Sequence, residues 1–319
     1  MNSVSVIIPA HNSSATLVEA LDSVVRQTHA VQEIIVVDDV SSDDTIRVFE
    51  DWQRASTGGI AARLLRQSRN TGPAGARNTG IRVAAGDWIA FLDADDAWLP
   101  GRIEAQLNTA ATHPVAVLLC GGTVPLDPDH PPPAAAPAYR VTPLTLDDFI
   151  SHNPIATSTV LAWRETVIEA GLFDEQFCGP EDYDLWLRIA SRHACLQLET
   201  PLSRYRTTVG SLSMDERTFL PQVLAVLRKA FGPGGALAAH PRQRRRAYAE
   251  QYSSASWMAF NRGDRPAALR HLLRSWIYSL APVHKERTHD RLLRLKLLLL
   301  YLGLKTKTPA LRDEERVFE

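Results

Sequence analysis

The sequence predicts an α/β protein: a mostly parallel central sheet with helices, followed by a smaller α-helical region. Three observations carry this. Short apolar, β-branched runs alternate with segments of helical periodicity through the first 200 residues. Acidic residues recur at the carboxyl ends of those runs. After about residue 214 the pattern is helical almost throughout. Strands alternating with helices at this spacing imply parallel pairing, with helices on both faces of the sheet.

Val4 to Pro9 (VSVIIP) reads as a buried strand, and Thr16 to Arg26 follows with apolar residues at helical spacing. Glu33 to Val37 is a second buried strand, ending on Asp38 and Asp39. Ser41 to Asp44 offers capping chemistry for a helix over Thr45 to Arg54. Ala62 to Leu65 is a third strand, Gly75 to Ala84 a helix after a Gly/Pro turn, and Trp88 to Leu92 a fourth strand. Val115 to Leu119 and Ser158 to Ala162 are further strands, and residues 125–143 form a Pro-rich surface loop. Helices are expected over Glu165 to Ala170 and Asp184 to Ala190, with a late strand at Ala194 to Leu198. Ala255 to Leu280 reads as two helices turning at Gly263 and ended by Pro282, similar to one tetratricopeptide-like unit. The expected domains are residues 1–213 and 214–319.

Charge divides the chain at nearly the same place. Residues 1–200 hold 13 Arg, no Lys and 26 Asp+Glu, a formal −13; residues 201–319 hold 22 Lys+Arg and 10 Asp+Glu, a formal +12. The acidic half would repel phosphate unless a cation intervened, which argues against a nucleic-acid partner. Cys120, Cys178 and Cys195 show no CxxC spacing, so neither a disulfide framework nor a zinc site is expected. The start of the chain has no signal-peptide pattern, and the apolar run 295–304 has about half the ~20 residues a spanning helix needs.

In a doubly wound sheet, ligands bind beyond the carboxyl ends of the strands. Strand one ends at Pro9, Ala10, His11 and Asn12; strand two at Asp38 and Asp39; strand four at Asp93, Ala94, Asp95 and Asp96. Crowded carboxylates raise one another's pKa values unless a cation joins them. They are also the hard oxygen ligands that Mg²⁺ or Mn²⁺ prefers. Neither GxGxxG nor GxxxxGK[ST] occurs, which disfavours a dinucleotide dehydrogenase or a P-loop NTPase. Arg77, on the helix opened by Gly72 to Gly75, is a candidate phosphate partner. His11, His29 and His152 lack metal-ligand spacing.

Four ordered segments make the chain resemble a family 2 inverting glycosyltransferase with the GT-A fold, of the bacterial cell-surface polysaccharide and O-antigen type. They are VSVIIPAHN at 4–12, QTHAVQEIIVVDDVSSDDT at 27–45, NTGPAGARNTGIRVAAGDWIAFLDADDAWLP at 70–100 and GLFDEQFCGPEDYDLWLRIA at 171–190. The resemblance implies that Pro9, Ala10, His11, Asn12, Asp38, Asp39, Asn70, Gly75, Arg77, Asp93 and Ala94 line the nucleotide-sugar site. Asp39 would accept a hydrogen bond from the base. Asp93-Ala94-Asp95 resembles a DxD triplet, with Asp95 and Asp93 as ligands of Mn²⁺ or Mg²⁺. Glu181 and Asp182 resemble the acidic pair on the acceptor side, with Asp182 the general base.

The implied activity is metal-dependent, inverting, non-processive transfer of a sugar from a nucleoside-diphosphate donor, a UDP-sugar being favoured. The acceptor would be a hydroxyl of a glycan or lipid-linked sugar. Two departures stand out: Val40 occupies the position after VDD where Gly is usual, and Thr207 to Ser211 lacks the His that relatives often carry after Tyr205-Arg206. The processive QxxRW signature is absent. A sugar nucleotidyltransferase is the alternative enzyme class, although His11-Asn12-Ser13 is not a triphosphate-gripping loop. A non-catalytic sugar-binding or scaffold protein is the other alternative. The basic clusters 242–246 and 285–296 fit peripheral membrane contact, or packing against the domain or a second subunit as a homo-oligomer. The expected location is the cytoplasm or the inner face of the plasma membrane, with no nucleic-acid partner.

Overall fold

The computed structural model describes residues 3–55, 59–126, 139–206, 215–281 and 293–304. The chain divides into two compact units, the first made of residues 1–145 and 155–206, the second of 146–154 and 207–319. The sequence-based boundary at 213/214 falls outside the described residues, and the short segment 146–154 belongs to the second unit.

The first unit is α/β and centres on a sheet that has nine strands among the described residues. Its strands are β1 (Val4–Ala10), β2 (Glu33–Asp38), β3 (Ala61–Arg66), β4 (Trp88–Phe91), β5 (Ala97–Trp98), β6 (Ala116–Pro125), β7 (Val141–Leu144), β8 (Leu161–Trp163) and β9 (Ala194–Tyr205). Their order is β3-β2-β1-β4-β8-β6-β9-β5, with β7 also paired to β9. Pairing is parallel from β3 through β4 and between β6 and β9, and antiparallel at β8, β5 and β7. Thus β1, β2 and β4 run side by side and deliver their carboxyl ends to one edge. The fully buried run Val6 to Ile8, with Ile34 to Val37 and Ile89 to Leu92, explains why these segments read as continuous apolar strands.

The helices of this unit are α1 (Leu17–Val25), α2 (Thr45–Ala55), α3 (Gly72–Val83), α4 (Arg102–Thr112), α6 (Arg164–Glu169) and α7 (Glu181–Ala190). α1 buries Leu17, Ala20, Leu21 and Val24, the stripe its periodicity predicted. α3 lies close on β1 because Gly80 has no side chain; a Cβ there would meet Ile7 Cγ2 at 2.7 Å. Asp43 accepts hydrogen bonds from the Thr45 and Ser14 amides, which outweigh slight burial and hold its carboxyl well below the usual range. It serves as a helix cap.

Three sequence expectations change. The expected loop 125–143 begins and ends in strands β6 and β7, β7 being held by antiparallel pairing to β9; residues 127–138 lie outside the described residues. The expected strand from Ser158 opens with a 3₁₀ turn at Thr157–Thr159, whose backbone bonds close on Ala156 and Thr157. α7 starts at Glu181, three residues earlier than its periodicity implied, with Pro180 capping it and three carboxylates in its first turn. Acids there complement the positive end of the helix dipole.

The second unit holds α5 (Leu146–Ser151), α8 (Glu216–Phe231), α9 (Arg244–Asn261), α10 (Arg265–Tyr278) and α11 (Leu293–Tyr301). α9 starts eleven residues before the expected helix. It turns into α10 at Gly263, whose φ of +88° glycine tolerates, and Asp264 caps α10 by accepting from the Ala267 amide at 2.9 Å. The core joins Ala259, Ala268, Leu272, Leu297 and Tyr301. α5 is tied to α9 by Arg246 and Gln251, which donate to the Ser151 hydroxyl and carbonyl. Pro282 lies outside the described residues.

Candidate active site

The ends of β1 and β2 are knitted together by polar bonds. Asp39 N–H donates to the Ala10 carbonyl at 2.8 Å, and a His11 ring nitrogen lies 2.8 Å from the Asp39 carbonyl. Asn12 accepts from the Ser42 amide at 2.8 Å and donates through its own amide to Ser41 Oγ. Val40 takes φ +64°, the left-handed conformation that glycine adopts without strain. The turn keeps the glycine geometry with a β-branched residue in it.

Asp38 and Asp39 are both buried, and they are used differently. Asp38 turns its carboxylate back onto the Ser41 amide. Asp39 Oδ1 accepts from the Thr71 amide at 2.8 Å and the Thr71 hydroxyl at 3.3 Å. Its Oδ2 has no partner among the described residues. Asn70 donates to the Asp39 carbonyl and accepts from the Gly72 amide. Gly75 makes this possible: a Cβ there would lie 2.2 Å from Thr71 Oγ1. Its role here is to leave room for the threonine that orients Asp39. Pro9 and Ala10 pair in register with Val37 and Asp38.

Arg77 bridges two acidic parts of the arrangement. Buried on α3, it donates from Nη2 to Asp93 Oδ1 at 2.6 Å and from Nη1 to Glu181 Oε1 at 2.8 Å. Its guanidinium stands 5.4 Å over the Phe173 ring. Burial works against its charge, but the carboxylates of Asp93, Glu181 and Asp182 outweigh that and raise its pKa further. The expected phosphate partner is thus engaged by two carboxylates, and it joins the acidic turn after β4 to the first turn of α7.

That acidic turn is held from three sides. Asp93 N–H donates to Ser158 Oγ at 3.1 Å, Asp96 N–H to the Asp93 carbonyl at 3.1 Å, and Arg206 Nε to the Asp95 carbonyl at 3.0 Å. Arg206 also donates through its amide to Asp96 Oδ1 at 3.0 Å and through Nη2 to Glu19 Oε2 at 2.5 Å. Ala94 is buried between the acids. Burial, and then the charge of Asp93, raise the pKa of Asp95; the same two causes raise that of Asp96 well above the usual range.

Glu181 is buried, and its second oxygen accepts from the Gly179 amide at 2.8 Å. Asp182, half-buried, accepts from the Thr157 hydroxyl at 2.9 Å and the Tyr183 amide at 2.6 Å. Burial and the neighbouring Glu181 charge push its carboxyl up to about 7, against the opposing pull of Arg77 and Thr157.

Among the described residues no group of three or more His, Cys, Asp or Glu side chains is arranged to hold a metal ion by itself. The two carboxylates of Asp93 and Asp95 nonetheless suit a hard cation. They are close enough for one charge to disfavour the other, and Mg²⁺ is commonly held by one or two carboxylates together with substrate phosphates. Thr207 to Ser211 lies outside the described residues.

The structure adds Thr71, Thr157, Ser158 and Arg206 to the residues that shape the site. The one available signal was the hydroxyl-rich run Thr157-Ser158-Thr159 directly before an apolar strand.

The profile of glycosyl transferase family 2 matches residues 5–148. The chain is 30% identical over 229 residues to the amylovoran biosynthesis glycosyltransferase AmsB of Erwinia amylovora, a match covering 67% of this chain and 73% of that protein. It is 29% identical over 218 residues to the UDP-Glc:alpha-D-GlcNAc-diphosphoundecaprenol beta-1,3-glucosyltransferase WfgD of Escherichia coli, covering 67% and 80%. An uncharacterized glycosyltransferase of Rickettsia felis is 33% identical over 214 residues, covering 65% of this chain; the chain spans only 33% of that protein. In fold, the chain is similar to residues 1–349 of S. aureus TarS in complex with UDP-GlcNAc. That TM-score is 0.68 at 16% identity, covering 98% of this chain and 95% of the other.

Proposed function

The chain belongs to glycosyl transferase family 2, and from that premise we propose that it transfers a sugar from a nucleoside-diphosphate donor to an acceptor hydroxyl with inversion at the anomeric carbon. One observation carries the reading. A single buried guanidinium, Arg77, joins Asp93 of the acidic turn to the Glu181-Asp182 pair, so donor-side and acceptor-side acids are fixed relative to each other.

On this reading the nucleobase lies over Pro9 and Ala10, and Asp39 Oδ2 accepts from a ring N–H while Thr71 holds Oδ1 in place. Such a donor exists on uracil, and WfgD's donor is UDP-Glc, which favours a UDP-sugar. Asp93 and Asp95 would hold Mn²⁺ or Mg²⁺, which when bound neutralises charge on the leaving diphosphate. Arg206 and Ser158 keep that turn in shape.

Asp182 is the general base. A carboxyl with a pKa near 7 is a far better proton acceptor at neutral pH than an ordinary aspartate. It takes the proton of the acceptor hydroxyl as the oxygen forms its bond to the anomeric carbon and the bond to the diphosphate oxygen breaks. The nucleophile enters opposite the leaving group, so configuration inverts in one step. Thr157 aims the carboxylate by donating to one oxygen. The names of WfgD and AmsB support an acceptor in polysaccharide assembly, a lipid-linked sugar or a growing glycan.

A thermal-shift screen of nucleoside diphosphates with Mn²⁺ tests the reading. Stabilisation by UDP, about 2.7 kcal/mol at a hundredfold excess over Kd and lost with EDTA, is expected. Failure of every nucleotide to stabilise the chain would overturn it.

A further inference from the structure

The helical unit carries a surface that the transfer chemistry does not use. Ile277, on the last turn of α10, is 71% exposed, and Leu280, just past its end, is 85% exposed. Leu273 lies four residues before Ile277, on the same face of the helix, and is also exposed. Single exposed apolar residues need no explanation, but these share their end of the helix with arginine: Arg274 is on α10 itself and Arg245 donates to the Ile277 carbonyl.

Three arginines belong to this part of the unit, Arg244 and Arg245 on the first turn of α9 and Arg274 on α10. Arg245 donates from Nε and Nη2 to the carbonyls of Tyr278 and Ile277, at 2.9 and 3.0 Å, so its guanidinium caps the end of α10. Arg244 stands 5.7 Å over the Tyr248 ring and Arg274 5.8 Å over the Tyr252 ring. Both rings stack on Tyr278, with centroids 5.2 and 5.3 Å away. The tyrosine stack therefore links Arg244 and Arg274 to Tyr278, which follows the exposed isoleucine in the chain.

The three helices of this unit that are rich in arginine carry little opposing charge within their own bounds. α9, α10 and α11 together contain seven arginines and one lysine against a single acid, Glu250. Glu250 is buried and lies 3.8 Å from Arg246.

Nucleic acid would use the arginines but gain nothing from Ile277 and Leu280. An apolar protein groove would use those two but would have to desolvate three guanidinium groups. An anionic bilayer uses both: apolar side chains enter the acyl boundary, and arginine and tyrosine sit at the headgroups. We propose that the C-terminal turn of α10 docks the chain on an anionic phospholipid surface. Ile277 and Leu280 insert, and Arg244, Arg245 and Arg274 meet the lipid phosphates. The inference is independent of the transfer reading.

The test is sedimentation of the full chain with vesicles of phosphatidylcholine alone, or mixed with roughly a third phosphatidylglycerol. The chain should pellet with the anionic vesicles only, and less as salt rises from about 0.05 to 0.5 M. Ile277→Ser with Leu280→Ser should lower the partition more than about tenfold. Arg244→Gln with Arg274→Gln should lower it about fivefold per arginine. All four positions are exposed, and unchanged thermal unfolding would show that the variants fold. The proposal is overturned if the chain ignores both vesicle types, or if the serine variant pellets like the parent. It is equally overturned if the chain binds single-stranded DNA in place of vesicles, or if light scattering shows a dimer that the serine variant dissolves while vesicle binding is nil.

Discussion

Replacing Arg77 by methionine should damage stability and activity together, in a way that depends on pH. The guanidinium is buried and makes bonds of 2.6 and 2.8 Å to carboxylates that come from separate segments of the chain. Removing one partner of a buried ion pair costs about 3–5 kcal/mol, because the other partner stays buried and charged. Here two carboxylates lose their counterion, although Asp93 is partly open to water and can be solvated in place. The loss at pH 7 should therefore fall within that range. Protons can substitute for the missing cation, so the deficit relative to the parent should shrink as the pH falls. Arg77→Lys should recover part of the loss, since one ammonium reaches one carboxylate but not two in a fixed fork. Urea unfolding of the three proteins at two pH values measures all of this. The variant's Asp182 should also titrate above about 7, since Arg77 is the largest of the influences that oppose burial and Glu181 there. A methionine variant that loses less than about 1 kcal/mol, or loses the same amount at both pH values, would refute the reasoning.

Other outcomes are expected. The kcat/KM of the parent should rise with pH through an apparent pKa near 7, because Asp182 must be unprotonated to take a proton and its carboxyl is pushed up to about 7; a profile already flat from pH 5 would contradict this. Thr157→Val should lower kcat by about tenfold while leaving UDP binding unchanged, as one hydrogen bond that aims the base is lost. Gly75→Ala should weaken UDP binding more than it weakens the fold, since the new Cβ drives Thr71 off Asp39; calorimetric titration of UDP reads this directly. Val40→Gly should stabilise the chain by about 1 kcal/mol in urea unfolding, because a β-branched residue at φ +64° is strained and its side chain is 42% exposed.

Most of the sheet was legible because its strands are buried on both faces. Val4 to Pro9, Glu33 to Val37 and Trp88 to Leu92 read as apolar runs, and the rule that ligands gather at strand carboxyl ends then pointed to Asp39, Asp93 and Asp95. β5 is two residues long and β7 contains Pro143, so each depends on β9 for its existence and neither has a pattern of its own. Periodicity started α7 at Asp184, because Glu181 and Asp182 look like loop acids until the helix dipole is considered. The bonds of Arg77 could not be read at all: its partners lie 16 and 104 residues away, and only folding makes them neighbours. The same holds for Thr157 with Asp182 and for Arg206 with the acidic turn. Nothing in composition marks 146–154 as part of the helical unit; its bonds to Arg246 and Gln251 put it there.

The central claim is that Asp182 is the base of a sugar transfer. The most direct measurement is the rate of UDP release from UDP-sugars by the parent and by Asp182→Asn, with UDP affinity determined on the same preparations. The asparagine variant should bind UDP within about twofold of the parent and turn over about 10²- to 10⁴-fold more slowly. Equal turnover at equal affinity would contradict the account.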